Sequence, residues 1–129
     1  NYLDVRNGAL YPFGYGLSYT TFEYGPLQIS ADHTATVRVT NTGSRAADEI
    51  VQLYIRDKVA SISRPVKELK AFRRIHLAAG ESQDVSFQIT PDMLKFYNAD
   101  LQYVLEPGEF DIMVGPNSRD TKNGTISVK

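Results

Sequence analysis

Apolar and polar residues alternate in short runs along most of this chain, and this period of two restricts the possible folds more than any other feature. Turn residues separate the runs, as at Asn41 to Ser44 and Gly115 to Ser118. Alternation places an apolar face inward and a polar face outward, which is typical of antiparallel strands solvated on one side. The pattern predicts an all-β, two-sheet antiparallel sandwich. The apolar positions are Leu27 and Ile29; Ala35, Val37 and Val39; Val51, Leu53 and Ile55; Val85, Phe87 and Ile89; Phe110, Ile112 and Val114; and Ile126 and Val128.

The stretch from Val66 to Leu77 departs from this alternation. Its apolar residues recur at every third position, which suits a helix. Residues 56–76 hold seven basic and two acidic side chains (net +5), against seven and thirteen elsewhere (net −6), so a helix here would suit a membrane surface or a calmodulin-like partner. The alternative is a strand with a β-bulge at Arg73 and Arg74. We favour the strand, because a proline and a glycine bracket a strand-sized segment of an otherwise all-β chain.

The composition is that of one globular domain. The chain has 129 residues, of which 42% are hydrophobic and 22% charged. The net charge of −1 gives no overall attraction to nucleic acid or anionic lipid, and no apolar run approaches the roughly 20 residues that cross a bilayer. We therefore expect no nucleic-acid and no membrane partner. The chain has no cysteine, and it opens on Asn1 without a methionine, which we interpret as a piece of a longer polypeptide.

No set of residues in the sequence converges on a site for catalysis. Glycoside hydrolysis needs two carboxylates across a cleft, whereas the acids here fall mostly in turns or at outward strand positions such as Asp84 and Asp111. His33 and His76 lack the spacing of metal ligands. Ser18 lacks the second glycine of a nucleophile elbow. We therefore predict no catalytic residue, no metal ligand, no cofactor-binding residue and no cofactor.

An aromatic segment without periodicity lies near the N-terminus. Six of the fourteen Phe and Tyr residues (six Phe and eight Tyr in all) fall between positions 11 and 24, which is more than an exposed linker tolerates. Gly14 and Gly16 break strand continuity, and Pro12 fixes a backbone angle. The rings could pack on a neighbouring domain, form a platform that stacks on sugars, or fold back on their own sandwich. We favour packing on a neighbour, because aromatic residues dominate interface cores.

These observations predict a connector at residues 1–24 and a sandwich at residues 25–129. The planar guanidinium of Arg64, in a loop without pattern, suits a carboxylate or carbonyl of a neighbour. The predicted residues of the domain interface are Tyr11, Phe13, Gly14, Tyr15, Gly16, Leu17, Tyr19, Arg64 and Pro65.

Four motifs resemble the C-terminal fibronectin type III-like domain of family 3 glycoside hydrolases, the family of β-glucosidases and β-xylosidases. They read LYPFGYGLSYTTF at 10–22, VTNTG at 39–43, SRPVKELKAF at 63–72 and EPGEF at 106–110. Their order and spacing agree over nearly the whole chain, and the bacterial periplasmic type is the most similar. Gly8-Ala9 departs from the pattern, since many relatives carry a proline there.

The resemblance implies a fibronectin type III or immunoglobulin-like sandwich, preceded in its parent enzyme by a barrel domain and an α/β sandwich domain. The nucleophile and the acid/base carboxylate of the family belong to those domains, so no catalytic residue is carried over. The implied function is that of a non-catalytic module, periplasmic or secreted, of a β-glucosidase that hydrolyses terminal β-D-glucosyl residues. Its partners would be the catalytic domains, which it would pack on and stabilise, with a loop that could border the active-site entrance, and β-linked oligosaccharide through the parent. The alternatives are a carbohydrate-binding module using Tyr11, Phe13, Tyr15 and Tyr19, or an adhesion or scaffolding module of fibronectin type.

Overall fold

The computed structural model describes residues 20–58, 67–97 and 100–129. In these residues the chain forms ten strands and a short 3₁₀ turn at Pro91–Leu94, which is capped by Thr90. The strands are β1 (Phe22–Tyr24), β2 (Gln28–Ile29), β3 (Thr34–Asn41), β4 (Ala47–Asp57), β5 (Lys67–Leu77), β6 (Ser82–Gln88), β7 (Phe96–Tyr97), β8 (Tyr103–Val104), β9 (Gly108–Gly115) and β10 (Lys122–Val128).

The strands form two four-stranded antiparallel sheets and a separate β7–β8 pair. In the first, here called the β3–β6 sheet, β1 and β2 lie along one edge of β3 and β6 lies along the other. In the second, the β4–β9 sheet, the order is β10-β9-β4-β5. This architecture confirms the predicted all-β, two-sheet antiparallel sandwich.

The core lies between the sheets and is built from the alternating apolar residues. Removing each such side chain from water stabilises the fold by about 1.5–3 kcal/mol. Phe96, next to the 3₁₀ turn, adds its ring 6.5 Å from that of Phe110. The inward side chains with essentially no exposed surface are Val37 and Val39 from β3; Val51, Leu53 and Ile55 from β4; Leu77 from β5; and Phe110, Ile112 and Val114 from β9.

The VTNTG motif joins the two sheets through a buried amide. Asn41 ends β3 with no exposed surface, and its Nδ2 donates to the carbonyls of Arg45 (2.8 Å) and Leu77 (3.0 Å). Its Oδ1 accepts from the backbone N–H of Gly43 at 2.9 Å. A Cβ at Gly43 would lie 2.9 Å from the Cα of Thr20, so only glycine fits where the chain enters the sandwich. The motif therefore fixes the β3–β4 turn, the end of β5 and the entry of the chain together.

The stretch with three-residue spacing is a strand, as predicted, but the predicted position of its bulge was wrong. Leu53 pairs with Ala71 and Tyr54 with Leu69, so the extra residue is Lys70 rather than Arg73 or Arg74. The bulge turns the Lys70 ammonium inward, where it lies 4.5 Å from the ring centroid of Phe96 and donates to the carbonyl of Lys95 at 3.3 Å. It also places Leu69 and Phe72 on the same face of the sheet, which explains the helix-like spacing.

The described structure includes a strand inside the range predicted as connector. Residues 22–24 form β1 and pair with the end of β3. Tyr24 points into the core, and its hydroxyl donates to Glu49 Oε2 at 2.9 Å across the sandwich. Burial, followed by the neighbouring Glu49 carboxylate, raises the pKa of Tyr24 above its usual range. The predicted boundary between connector and sandwich at residues 24 and 25 stays a prediction. Strand β1, which pairs with β3, lies on the connector side of that boundary.

Candidate functional site

The nine residues predicted to form a domain interface lie outside the described residues. Tyr11, Phe13, Gly14, Tyr15, Gly16, Leu17 and Tyr19 belong to residues 1–19, and Arg64 and Pro65 to residues 59–66. The described residues begin at Thr20, and hydrogen bonds of this residue and its neighbour fix both to the sandwich. Thr20 Oγ1 donates to the carbonyl of Arg45 at 2.8 Å, and the N–H of Thr42 donates to the carbonyl of Thr21 at 2.8 Å. Whatever precedes Thr20 is therefore attached to a fixed end of the sandwich.

The two acids predicted to point outward do so, each in an ion pair with the residue opposite it in the sheet. Arg38 Nε lies 2.9 Å from Asp84 Oδ1, and Arg56 Nη2 lies 2.7 Å from Asp111 Oδ2. The hydrogen bond from Arg38 holds the pKa of Asp84 below its usual value. Among the described residues, no group of three His, Cys, Asp or Glu side chains could hold a metal ion. These acids therefore match the outward strand positions of the sequence analysis.

A third charged cluster lies at the start of β4, where Asp48 contacts two basic side chains of β5. Its Oδ1 lies 2.6 Å from His76 Nδ1, and its Oδ2 lies 2.6 Å from Arg74 Nη2. The hydrogen bonds from His76 and then Arg74 lower the pKa of Asp48. The cluster is solvent-exposed, so it supports the pairing of β4 with β5 only weakly.

Buried polar side chains that sequence reasoning missed support the loops at one end of the β4–β9 sheet. Gln52 Nε2 donates to the carbonyl of Pro116 at 3.0 Å, and Asn117 Oδ1 accepts from the N–H groups of Arg119 and Asp120. Asp57, the last residue of β4, is also buried. Asp57 stands two residues after Ile55, so the alternation of the strand places its side chain on the inward side. This spacing was the sequence signal that could have found it.

The outer face of the β3–β6 sheet is polar from end to end. Each outward residue of β3 bonds the residue opposite it in β6, mostly through hydroxyl groups. The four cross-strand pairs are Thr34 with Gln88 (3.0 Å), Thr36 with Ser86 (2.9 Å), Arg38 with Asp84 (2.9 Å) and Thr40 with Ser82 (2.7 Å). This is the outer surface expected of a sheet that faces water.

The outer face of the β4–β9 sheet carries an apolar band, defined here as Tyr54, Met113, Leu69 and Phe72. Tyr54 pairs with Met113 on one side and with Leu69 on the other, and Phe72 pairs with the neighbouring Gln52. Tyr54 and Met113 are buried although they point away from the core, whereas Leu69 and Phe72 are 43% and 65% exposed. The sequence signal was two unbroken apolar runs, Leu53-Tyr54-Ile55 and Ile112-Met113-Val114, which are typical of strands covered on both faces.

Two further exposed rings belong to the β7–β8 pair. Tyr97 and Tyr103 face each other across the strands, with ring centroids 5.0 Å apart and planes tilted by 47°. The Lys70 ammonium lies 5.9 Å from the Tyr103 ring. A cross-strand aromatic pair of this kind contributes about 0.2–1 kcal/mol to the pairing of its strands.

Comparisons with known proteins identify the domain family. The model of the fibronectin type III-like domain matches residues 49–118. A periplasmic β-glucosidase of Salmonella typhimurium is 46% identical over 134 residues, which are 98% of this chain and 18% of that protein. A β-xylosidase of Formosa agariphila is 49% identical over 129 residues, with 93% of this chain and 18% of that protein covered. The chain thus spans less than a fifth of the length of these relatives.

Solved structures agree with this assignment. The structure of a β-glucosidase from Erythrobacter marinus superposes with a TM-score of 0.78 at 39% identity, covering 86% of this chain and 16% of that one. A β-glucosidase from Listeria innocua in complex with gluconolactone gives a TM-score of 0.72 at 38% identity, covering 85% and 16%. No helix among the described residues is long and apolar enough to cross a membrane. The chain belongs to the fibronectin type III-like domain family, in the form that occurs as a part of family 3 β-glucosidases and β-xylosidases.

Proposed function

We propose that this chain is the non-catalytic module of a family 3 β-glucosidase, and that it packs on and stabilises the domains that hydrolyse terminal β-D-glucosyl residues. One observation carries the proposal. The chain aligns over 98% of its own length with only 18% of a periplasmic β-glucosidase, so more than four fifths of that enzyme lies outside the matched region. The name of that relative also supports a periplasmic or secreted location.

The described residues support a structural role more than a catalytic one. Retaining and inverting glycosidases place two carboxyl groups across the scissile bond, about 5–10 Å apart, with one held protonated by its surroundings. Here the pKa values of Asp48 and Asp84 are lowered, because basic side chains bond them. A carboxyl group with a lowered pKa stays ionised and is a poor general acid at neutral pH.

The aromatic connector is the proposed anchor of the module on its parent. Its described end, Thr20 and Thr21, is bonded to the β3–β4 turn, and Gly43 allows this close approach. Because Thr20 and Thr21 are bonded to the sandwich, the connector joins it at a defined position, which favours a rigid junction once the rings pack on a neighbouring domain.

Replacing Phe13 and Tyr15 by Ala in the full polypeptide tests this anchoring. We expect the melting temperature to fall by several degrees, because two buried rings would be lost from an interface. Tyr97→Ala, which removes an exposed ring far from the connector in sequence, is the matched control and should change little. An unchanged melting temperature in the Phe13/Tyr15 variant would show that the connector does not anchor the module.

The isolated chain provides a separate test of the non-catalytic assignment. We expect no hydrolysis of an aryl β-glucoside by the purified 129-residue chain, whereas the full polypeptide should turn it over. Turnover that co-purifies with the isolated chain would overturn the assignment without bearing on the anchor.

A carbohydrate-binding module is the second candidate, favoured by the exposed Tyr97–Tyr103 pair. Titration of the isolated chain with cello-oligosaccharides separates the two candidates. Saturable binding that is lost in Tyr103→Ala or Tyr15→Ala would favour the carbohydrate-binding module, whereas the structural module predicts no binding.

A further inference from the structure

We infer that the apolar band on the outer face of the β4–β9 sheet is the surface through which this module docks on the hydrolase domains of its parent polypeptide. The inference rests on the proposed function and adds to it the face that is used. It assigns Leu69 and Phe72 to the interface, with Tyr54 and Met113 beside them on the neighbouring strands.

The band is set by strand register and is not a scatter of single exposed residues. Met113, Tyr54 and Leu69 are successive cross-strand partners on β9, β4 and β5, so their side chains share one face. Gln52 lies two residues before Tyr54 on β4 and pairs with Phe72, so Phe72 points to the same face. The loop after β9 reaches this face, since Gln52 Nε2 donates to the carbonyl of Pro116. Leu69 and Phe72 stay exposed, and adjacent exposed apolar side chains are typical of a surface that contacts a partner.

The exposed part of the band lies on an edge strand, where apolar residues carry a cost. Strand β5 has no partner beyond β4 in its sheet among the described residues, and proteins usually protect such edges with charge or a bulge. β5 has both devices, yet the bulge at Lys70 turns Leu69 and Phe72 to one side together. With 65% of its surface exposed, Phe72 is an aromatic anchor of the kind that dominates binding energy in interfaces.

The length of a relative identifies the occupant. The chain aligns with only 18% of the periplasmic β-glucosidase of Salmonella typhimurium, so more than four fifths of such a polypeptide remains to cover this face. The exposed ring of Phe72 lies where a domain of the same polypeptide can bury it.

The side chains of the band give the chemistry of the docking partner. Lys67 borders the band directly, with its ammonium 5.9 Å from the Tyr54 ring and bonded to the carbonyl of Ser118. The partner surface on the hydrolase domains should therefore be an apolar socket for Phe72.

Photo-cross-linking in the full polypeptide tests the inference. p-Benzoylphenylalanine replaces Phe72 in one variant and Leu69 in a second, and it replaces Thr36, on the polar outer face, in the control. After irradiation, mass spectrometry identifies the cross-linked peptides. We expect positions 72 and 69 to cross-link to the hydrolase domains of the same molecule at about tenfold or greater yield than position 36. All three side chains point outward, so the substitutions should leave the sandwich folded.

Each other outcome overturns the inference in a way that can be recognised. Cross-links from position 72 to residues 1–19 would mean that the chain covers its own band, and concentration-dependent cross-links between molecules would mean a second copy. Cross-links to the hydrolase domains from position 36 alone would place docking on the other sheet and leave the proposed function standing. No cross-links from any position would contradict docking by either face, whereas the proposed function is judged by the melting temperature of the connector variant.

Discussion

The two sheets of this sandwich share a core but differ on their outer faces. The outer face of the β3–β6 sheet is a ladder of four polar cross-strand pairs, from Thr34–Gln88 to Thr40–Ser82. The β4–β9 sheet instead buries Tyr54 and Met113 outside the core and exposes Phe72 beside them. Alternation is obeyed on the outer face of one sheet and broken on that of the other, and we attribute the break to contact with a partner. Departures from local sequence rules are expected where a protein makes contact with a partner.

The largest predicted effect comes from Tyr54, since it tests whether the outer face of the β4–β9 sheet is truly packed. Tyr54→Ala should lower the free energy of unfolding by about 3 kcal/mol, because a buried ring is removed and the cavity is only partly refilled. Tyr54→Phe removes only the hydroxyl bonded to Gln52 Oε1 at 2.5 Å and should cost about 1 kcal/mol.

Denaturant unfolding of the chain measures both variants. Thr36→Ala, at an outward position of the β3–β6 sheet, is the matched control and should stay within about 0.5 kcal/mol of the parent. Equal costs at positions 54 and 36 would remove the difference between the two faces.

Asn41 tests what the two sheets share, since its side chain connects them. Asn41→Ala removes the amide that donates to the buried carbonyl of Leu77 and accepts from the N–H of Gly43, so we expect a loss of about 2 kcal/mol. Hydrogen exchange should show protection lost in β3 and β5 together, whereas Tyr54→Ala should act mainly on the β4–β9 sheet.

Thr40→Ala, one residue earlier on the same strand, is the control for Asn41 and should cost little. Protection lost in only one of the two strands would contradict the assignment of Asn41 as the link between the sheets.

The smallest predicted effect concerns acid, to which both faces should respond alike. The pKa of Asp48 is lowered by His76 and then Arg74, and that of Asp84 by Arg38. A carboxyl group with a lowered folded-state pKa contributes stability above its unfolded pKa of about 4, and that contribution is lost as the pH falls through the folded value. The melting temperature should therefore decline below about pH 4, and less steeply in Asp48→Asn and Asp84→Asn.

Both acids are exposed, so the change in slope should be small and should shrink in high salt. Thermal scans from pH 7 to pH 2 measure it. Slopes identical to that of the unmodified chain would show that neither ion pair contributes to stability.

The alternation of β3 and β6 made the sandwich predictable, because inward and outward side chains there follow a strict period of two. The bulge at Lys70 was not predictable, since it depends on the contact of its ammonium with Phe96, a residue far along the chain. The same bulge accounts for the three-residue spacing of Leu69 and Phe72, which share the outer face, whereas Ile75 lies in the core on the other side of the sheet. The unbroken apolar runs around Tyr54 and Met113 were a signal of the apolar band. The sequence analysis missed it because every strand was interpreted as solvated on one face. The interface predicted at Tyr11 to Tyr19 and at Arg64 and Pro65 remains a prediction.

The exposed fraction of Phe72 in an experimental structure of the full polypeptide tests the central claim most directly. Here Phe72 is 65% exposed on the outer face of the β4–β9 sheet. We predict that its ring is buried against a hydrolase domain in the full polypeptide, while Thr36 and Arg38 on the opposite sheet still face water. A Phe72 ring as exposed in the full polypeptide as in this chain would contradict it.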